Sequence, residues 1–326
     1  MLVLGCNSFA GSVFVDSALT AGFDVVGINR SGEGSINFLP YKRNARVKNY
    51  KFHQLHLVNN LEQIISVIGD CEPEYIVDFA GQGMVAESWE APELWYETNL
   101  VSKVRLHDFL RKCRFLKKYI RVSTPEVYGS NTGLIGESCG YNPSTPYAVS
   151  HAAVDMSLLA FHQNYGFPSV ITRFANFYGP GQQLYRIIPK TVLTALSSGV
   201  LNLHGSGSSI RAFIYASDIA SALLLTLQKG EPGEVYHFTT DEFLTIREVV
   251  ERILRHLDID FDSCVKLTPD RLGKDQAYLM DSSKAKKALG WQPLVSFDQG
   301  VDLTISWVRE GITEFMDLPH EYKHKC

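Results

Sequence analysis

The chain has 326 residues, 45% hydrophobic and 20% charged, enough for a large buried core and unlike a disordered composition. A formal net charge of -4 leaves no basic excess to replace phosphate counterions, so nucleic acid is not an expected partner. The opening Met1-Leu2-Val3-Leu4-Gly5 lacks a signal peptide's basic segment and apolar core, no apolar run reaches membrane-spanning length, and the six cysteines are scattered. A cytoplasmic protein with reduced thiols, no metal site and no membrane contact is expected.

In chain order, Leu2-Val3-Leu4 predicts a strand, Gly11 to Ala21 a helix and Val25 to Ile28 a second strand. Further strands are expected at Phe52 to Leu57, Tyr75 to Val77 and Lys118 to Ser123. Between them lie helices at Leu61 to Gly69 and at Trp95 to Cys113, where Leu106, Phe109, Leu110 and Cys113 recur at helical spacing. Tyr147 to Tyr165 reads as one long helix with Ala148, Ala152, Met156 and Leu159 on one stripe, followed by a strand from Ser169 to Arg173. This alternation predicts an α/β fold, a Rossmann-type doubly wound parallel sheet covered by helices on both faces. After about Asn176, turns at Tyr178 to Gly181 and Gly205 to Gly207 separate shorter pieces. Residues 1–175 are expected to form the first domain. Residues 176–326 should form mainly a smaller α/β lobe, with some segments returning to the first.

Gly5-Cys6-Asn7-Ser8-Phe9-Ala10-Gly11 follows a strand and opens a helix, the context in which a glycine-rich loop binds a dinucleotide. Gly5 would allow the tight turn, and Gly11 close packing of the helix on the sheet. Backbone N–H groups along Asn7, Ser8 and Phe9 would meet a pyrophosphate. Ser8 stands where a middle glycine is usual, so either the backbone tolerates its side chain or its hydroxyl contacts the phosphate. The second strand ends in Ile28-Asn29-Arg30-Ser31, with no acidic residue to hold a ribose 2′-hydroxyl. Arg30 with Ser31 suits the 2′-phosphate of NADP, while Asn29 leaves NAD open.

Three further stretches carry the chemistry. Ser123-Thr124-Pro125-Glu126-Val127-Tyr128-Gly129 follows the fifth strand, where open parallel sheets place active sites. Tyr147-Ala148-Val149-Ser150-His151 begins a helix and sets Tyr147 and His151 one turn apart on a face. Arg173 to Gly181 follows the sixth strand.

With Glu97-Thr98-Asn99, Ile187-Ile188-Pro189-Lys190, Arg211 to Tyr215, Asp218, Arg271 to Asp275 and Leu289 to Pro293, these stretches resemble the extended short-chain dehydrogenase/reductase family. Within it they resemble most the nucleotide-sugar 4,6-dehydratases of the dTDP-glucose or GDP-mannose type, over nearly the whole chain. The resemblance implies that Tyr147 takes a proton from the sugar 4-hydroxyl and that Thr124 hydrogen-bonds the same oxygen. Glu126 would remove the C5 proton, and the product would be a 4-keto-6-deoxysugar. It further implies that His151 holds the cofactor ribose. Gln82, Glu87, Asn176, Lys190, Arg211 and Arg271 would meet the nucleotide-sugar, and two long helices would pair in a homodimeric four-helix bundle. An epimerase using the same 4-keto intermediate, or a non-catalytic nucleotide-sugar binding member, is the alternative.

Two residues depart from the family's pattern. His151 stands where a lysine is usual, and a neutral imidazole gives Tyr147 little electrostatic activation near neutral pH. Pro125 stands where the dTDP-glucose branch has an aspartate, and it cannot protonate the departing 6-hydroxyl.

Overall fold

The computed structural model describes residues 1–131, 133–138, 140–269 and 277–322. The first half runs β1 (Leu2–Leu4), α1 (Phe9–Thr20), β2 (Val25–Asn29), β3 (Tyr50–Gln54), α2 (Leu61–Cys71), β4 (Tyr75–Asp78), α3 (Pro92–Tyr96), α4 (Ser102–Leu110), β5 (Lys118–Ser123), α5 (Pro146–Tyr165) and β6 (Ser169–Phe174). The second half adds β7 (Asn176–Tyr178), α6 (Ile187–Leu196), β8 (Leu201–His204), β9 (Ile210–Tyr215), α7 (Ala216–Lys229), β10 (Val235–Phe238), β11 (Phe243–Thr245), α8 (Ile246–His256) and β12 (Val265–Thr268). Helices Ser283–Leu289 and Phe297–Met316 follow.

Seven strands form one parallel sheet in the order β10-β6-β5-β4-β1-β2-β3. The order reverses between β1 and β4, and this switch point is where open α/β sheets bind ligands. The second half returns β10 to the edge of this sheet beside β6, with Val235 opposite Ile171. It also makes a small sheet, β11-β9-β7, and a β12-β8 pair. Among the described residues no helix is long and apolar enough to cross a membrane.

Alternation along β5 positions the site. Ile120 and Val122 face one way, into a cluster with Phe14, Val15 and Leu19 of α1 and Leu223 and Leu227 of α7. Tyr119, Arg121 and Ser123 face the other way, beneath α4 and α5. Tyr178, Ile188, Val192, Phe213, Val249 and Val301 form a separate core for the second half.

Three expectations are corrected. Trp95 to Cys113 is not a uniform α-helix: the helical run ends at Leu110, and a wide π turn, Glu97–Val101, interrupts it between α3 and α4. The turn places Asn99 so that its Oδ1 accepts from Gln82 N (2.7 Å) and its amide donates to Gln82 O (3.1 Å) and Ser150 Oγ (3.0 Å). The third strand starts at Tyr50 and stops at Gln54 rather than spanning Phe52 to Leu57. The His56 ring accepts from the N–H groups of Val58 and Asn59, and this turns the chain away. On α5 the buried stripe runs through Ala148, His151, Ala152, Asp155 and Leu158, while Met156 is exposed. The helix is rotated because His151 and Asp155 have buried charged partners.

Candidate active site

The glycine-rich loop sits at the switch point. Gly5 has φ +76°, and a Cβ there would meet Ala80 N at 2.7 Å; a Cβ on Gly11 would meet Gly5 O at 2.3 Å. Neither position tolerates a side chain, so turn and helix lie close against the sheet. Ser8 caps α1, its Oγ accepting from Gly11 N at 3.1 Å, which leaves the hydroxyl proton to donate elsewhere. Phe9 is buried as the first residue of α1. Asn7 and Asn29 both donate to the Ser31 carbonyl, at 3.3 and 3.0 Å, and so hold the second loop against the first. The Tyr41 hydroxyl lies 2.7 Å from Asn7 Oδ1 and 3.1 Å from Glu33 Oε1. Arg30 and Ser31 are half-buried at the end of β2.

Two caps place Thr124 and Tyr147. Thr124 caps the 3-10 turn Pro125–Tyr128, its hydroxyl accepting from Glu126 N at 3.3 Å, and Pro125 presets the backbone at the first position of that turn. Thr145 caps α5 by accepting from Ala148 N at 3.1 Å, with Pro146 next. Tyr147 thus falls in the first turn and His151 one turn later, their ring centroids 4.5 Å apart. Tyr147 N donates to Ser88 Oγ at 3.2 Å.

The Tyr147 phenol is raised above its ordinary value by burial and then by the Glu126 carboxylate. A hydrogen bond with Thr124 and the charges of Arg121 and Arg186 oppose the rise. His151 is 7% exposed, and its Nδ1 lies 3.0 Å from Arg121 Nη2. Burial, with Arg121 and Lys103 adding, holds the imidazole well below its usual range. Its Nε2 is buried with no hydrogen-bond partner among the described residues.

Beneath this pair lies a buried network. Asp78 Oδ1 accepts from Lys103 Nζ at 2.5 Å, Asp78 Oδ2 accepts from Tyr119 Oη at 2.5 Å, and Arg121 Nη1 is 3.5 Å from Oδ2. Lys103 also donates to Ala80 O at 2.6 Å, and Tyr119 Oη lies 2.9 Å from His107 Nε2. A second network lies beside it. Asp155 Oδ2 accepts from Arg173 Nη2 (2.9 Å) and Ser123 Oγ (2.7 Å), and Arg173 also donates to Tyr141 (2.8 Å) and Tyr128.

The predicted residues divide into three groups. Thr124, Glu126, Tyr147 and His151 converge, and the loop residues Gly5, Asn7, Ser8, Phe9, Gly11, Asn29, Arg30 and Ser31 gather at the ends of β1 and β2. Gln82 is buried with its backbone pinned by Asn99, and Glu87 Oε2 is buried without a hydrogen-bond partner among the described residues. Asn176 is exposed at the start of β7. Lys190 Nζ is committed to Glu321 at 2.6 Å, and Arg211 stacks over the Tyr278 ring at 4.2 Å. Arg271 lies outside the described residues. Sequence reasoning missed Arg121, Lys103 and Asp78, and also Arg186, whose charge reaches Tyr147. A charged residue inside a buried strand, as at Arg121, was the available signal.

These groups fit a nicotinamide dinucleotide. His151 Nε2, buried without a partner among the described residues, suits a ribose hydroxyl, and the α1 N-terminus with the Ser8 hydroxyl suits an anion.

A family profile described as GDP-mannose 4,6 dehydratase matches residues 2–304. The dTDP-glucose 4,6-dehydratase of Xanthomonas campestris pv. campestris is 31% identical, over 94% of this chain and 92% of that protein. The structure of the dTDP-glucose 4,6-dehydratase DesIV from Streptomyces venezuelae, solved with NAD bound, is similar at a TM-score of 0.87 and 32% identity, covering 96% of this chain and 98% of that one. The UDP-glucose 4-epimerase of Thermotoga maritima, solved with UDP-glucose, is similar at a TM-score of 0.86 and 27% identity, covering 95% and 99%.

Proposed function

The chain belongs to the GDP-mannose 4,6 dehydratase family, and on that footing we infer a nucleotide-sugar 4,6-dehydratase that uses a bound nicotinamide dinucleotide. The observation that carries the reading to this chain's own residues is the convergence of Thr124, Glu126 and Tyr147 at the end of β5 and the start of α5.

When bound, the nicotinamide supplies reversible two-electron chemistry, oxidising the sugar at C4 and reducing it at C6. Gly5, Gly11, Ser8 and the α1 N-terminus would hold the pyrophosphate, and His151 Nε2 would meet a ribose hydroxyl. Tyr147 takes the proton of the 4-hydroxyl while Thr124 holds the same oxygen. The resulting ketone acidifies C5, and Glu126 removes that proton. Pro125 has no proton to give, so Glu126 returns its proton to the departing 6-hydroxyl, which leaves as water; C5 regains a proton from solvent as C6 is reduced, balanced by the one Tyr147 took from the 4-hydroxyl and releases. Arg186, beside Tyr147, supplies positive charge for the substrate's diphosphate together with Arg211. Tyr147 must be deprotonated and burial raises it, so turnover rises with pH above neutrality.

Mass spectrometry after incubation with a set of nucleotide-sugars tests the reading. Loss of one water is expected. Unchanged mass with altered sugar stereochemistry would make the chain an epimerase, and binding without turnover would contradict both.

Within the nicotinamide dinucleotides we propose a preference for NADP. Arg30 can pair with a 2′-phosphate, and position 29 carries an amide rather than a carboxylate. Calorimetry should give tighter NADP(H) binding that Arg30→Ala abolishes; equal affinities would refute the preference. A homodimer through α4 and α5 is also proposed, because Val149, Met156 and Tyr165 leave apolar surface exposed along α5. Light scattering returning a monomer mass would contradict it. Cys6, Cys71, Cys113 and Cys264 are free thiols, in keeping with the reducing cytoplasm proposed as its compartment.

A further inference from the structure

We propose that Arg121 is a positioning residue for Tyr147 and His151: it fixes His151 as the neutral Nε2–H tautomer and supplies the standing positive charge that the imidazole lacks. The proposal rests on the dehydratase reading for its chemical purpose but on geometry for its content.

The tautomer follows from donor and acceptor inventory. A guanidinium has donors only, so the 3.0 Å contact between Arg121 Nη2 and His151 Nδ1 requires Nδ1 to accept. An imidazole that accepts at Nδ1 and is neutral carries its proton on Nε2. That Nε2 is the buried atom with no hydrogen-bond partner among the described residues, so the donor it presents is aimed at something the pocket takes up. An acceptor such as a ribose hydroxyl of the dinucleotide meets that demand.

The charge follows from burial and balance. Arg121 is 1% exposed, and a guanidinium is a standing positive charge. Its carboxylate partner, Asp78, accepts at the same time from Lys103 and Tyr119. Arg121 is the more distant of the groups that share this carboxylate, 3.5 Å from Oδ2, while Lys103 and Tyr119 each lie at 2.5 Å. The Arg121 side nearer His151 is only part-compensated, and its field reaches the Tyr147 phenol, favouring the phenolate. A charge carried on β5 and relayed past a neutral ring thus does what a charge at position 151 would do directly. The groups facing this pair are Arg121, Ser123 and Tyr119 from β5, Asp78 from β4, Lys103 from α4 and Asp155 from α5. Glu126, Thr124 and Arg186 complete the surroundings of Tyr147.

The test begins with histidine-selective 15N NMR on the full-length protein without cofactor or substrate, His151 being assigned by its loss in His151→Gln. Wild type should show His151 as the neutral Nε2–H tautomer from pH 5 to 8. An Nδ1–H tautomer, or titration near the ordinary histidine value, would overturn the proposal whether or not the protein is a dehydratase. Arg121→Met removes the donor and leaves Asp78 paired with Lys103, so the fold retains a balanced pair. In that variant burial still holds His151 neutral but its tautomer should no longer be fixed, and the pH–rate profile for the nucleotide-sugar should move to higher pH by about one unit, a tenfold loss at neutrality. A profile unmoved in Arg121→Met would overturn the electrostatic half. Failure of wild type to dehydrate any nucleotide-sugar would remove the dehydratase reading and leave the NMR result standing.

Discussion

Two buried ionic networks lie under α5, and they are built from like parts to different balances. Around Arg173 one cation meets one carboxylate, Asp155, and Tyr128, Tyr141 and Ser123 occupy further donors and acceptors. Around Asp78 one carboxylate is divided between Lys103 and Arg121, and Arg121, the more distant at 3.5 Å, turns its other nitrogen to His151. Burial, with Arg121 adding and Asp78 opposing, pushes the Lys103 ammonium down to about 7, so this network changes charge near neutrality. The arginine of the other network does not. A balanced buried pair can only hold β6 to α5. An unbalanced one also projects a field into the pocket above it.

The largest effect should come from removing the group that field acts on. Tyr147→Phe is expected to lower turnover by about 10²–10⁴-fold while leaving dinucleotide binding intact, read by steady-state kinetics and calorimetry. Retained turnover would contradict the account. Next come the two carboxylates. Asp78→Asn leaves two buried cations and Asp155→Asn leaves one, each at a cost of about 3–5 kcal/mol in urea unfolding. The Asp78→Asn loss should shrink as pH rises, because Lys103 can shed its proton, whereas Asp155→Asn leaves an arginine that cannot. Identical pH dependence in the two would break the comparison.

A smaller effect belongs to Lys103 itself. Its proton is held more weakly in the folded protein, at about 7, than at its ordinary 10.5. The unfolded chain therefore binds more protons between those values, and stability should rise with pH across that window. The cost is fully present below pH 7. Lys103→Met should flatten the rise, and an unchanged slope from pH 7 to 10 would place the buried proton elsewhere. The smallest effect is that of Thr145→Ala, which removes the α5 cap and touches neither network. It should cost about 1 kcal/mol in the same unfolding measurement, and a loss as large as that of Asp155→Asn would mean that the cap and the networks are coupled.

Much of this fold was legible in the sequence because its strands are short apolar runs between helical patterns and its loops carry fixed glycines. Gly5 and Gly11 marked a tight turn and a close helix packing where side chains cannot fit. Tyr147, Thr124 and Glu126 could be found because each follows a recognisable strand or helix start. The balance of charge was not legible. Asp78, Lys103 and Arg121 come from three separate elements, and only the sheet order β5-β4 brings the aspartate under the arginine. Asn99 read as part of a straight helix because a π turn leaves no mark in hydrophobic spacing. His151 could be seen as a departure, but its compensation sat 30 residues away on β5.

The most direct test of where the activating charge resides is a cycle of three variants, Arg121→Met, His151→Lys and the two combined, assayed for turnover at pH 7. A lysine at position 151 in an otherwise unchanged chain sets an ammonium against Arg121, whose Nη2 now lies 3.0 Å from the imidazole. Each single variant should therefore be slower than wild type, and the double variant, with one cation in place of the other, should be faster than either. Losses that simply multiply in the double variant would show that Arg121 and His151 act independently, and the charge that serves Tyr147 would have to come from elsewhere.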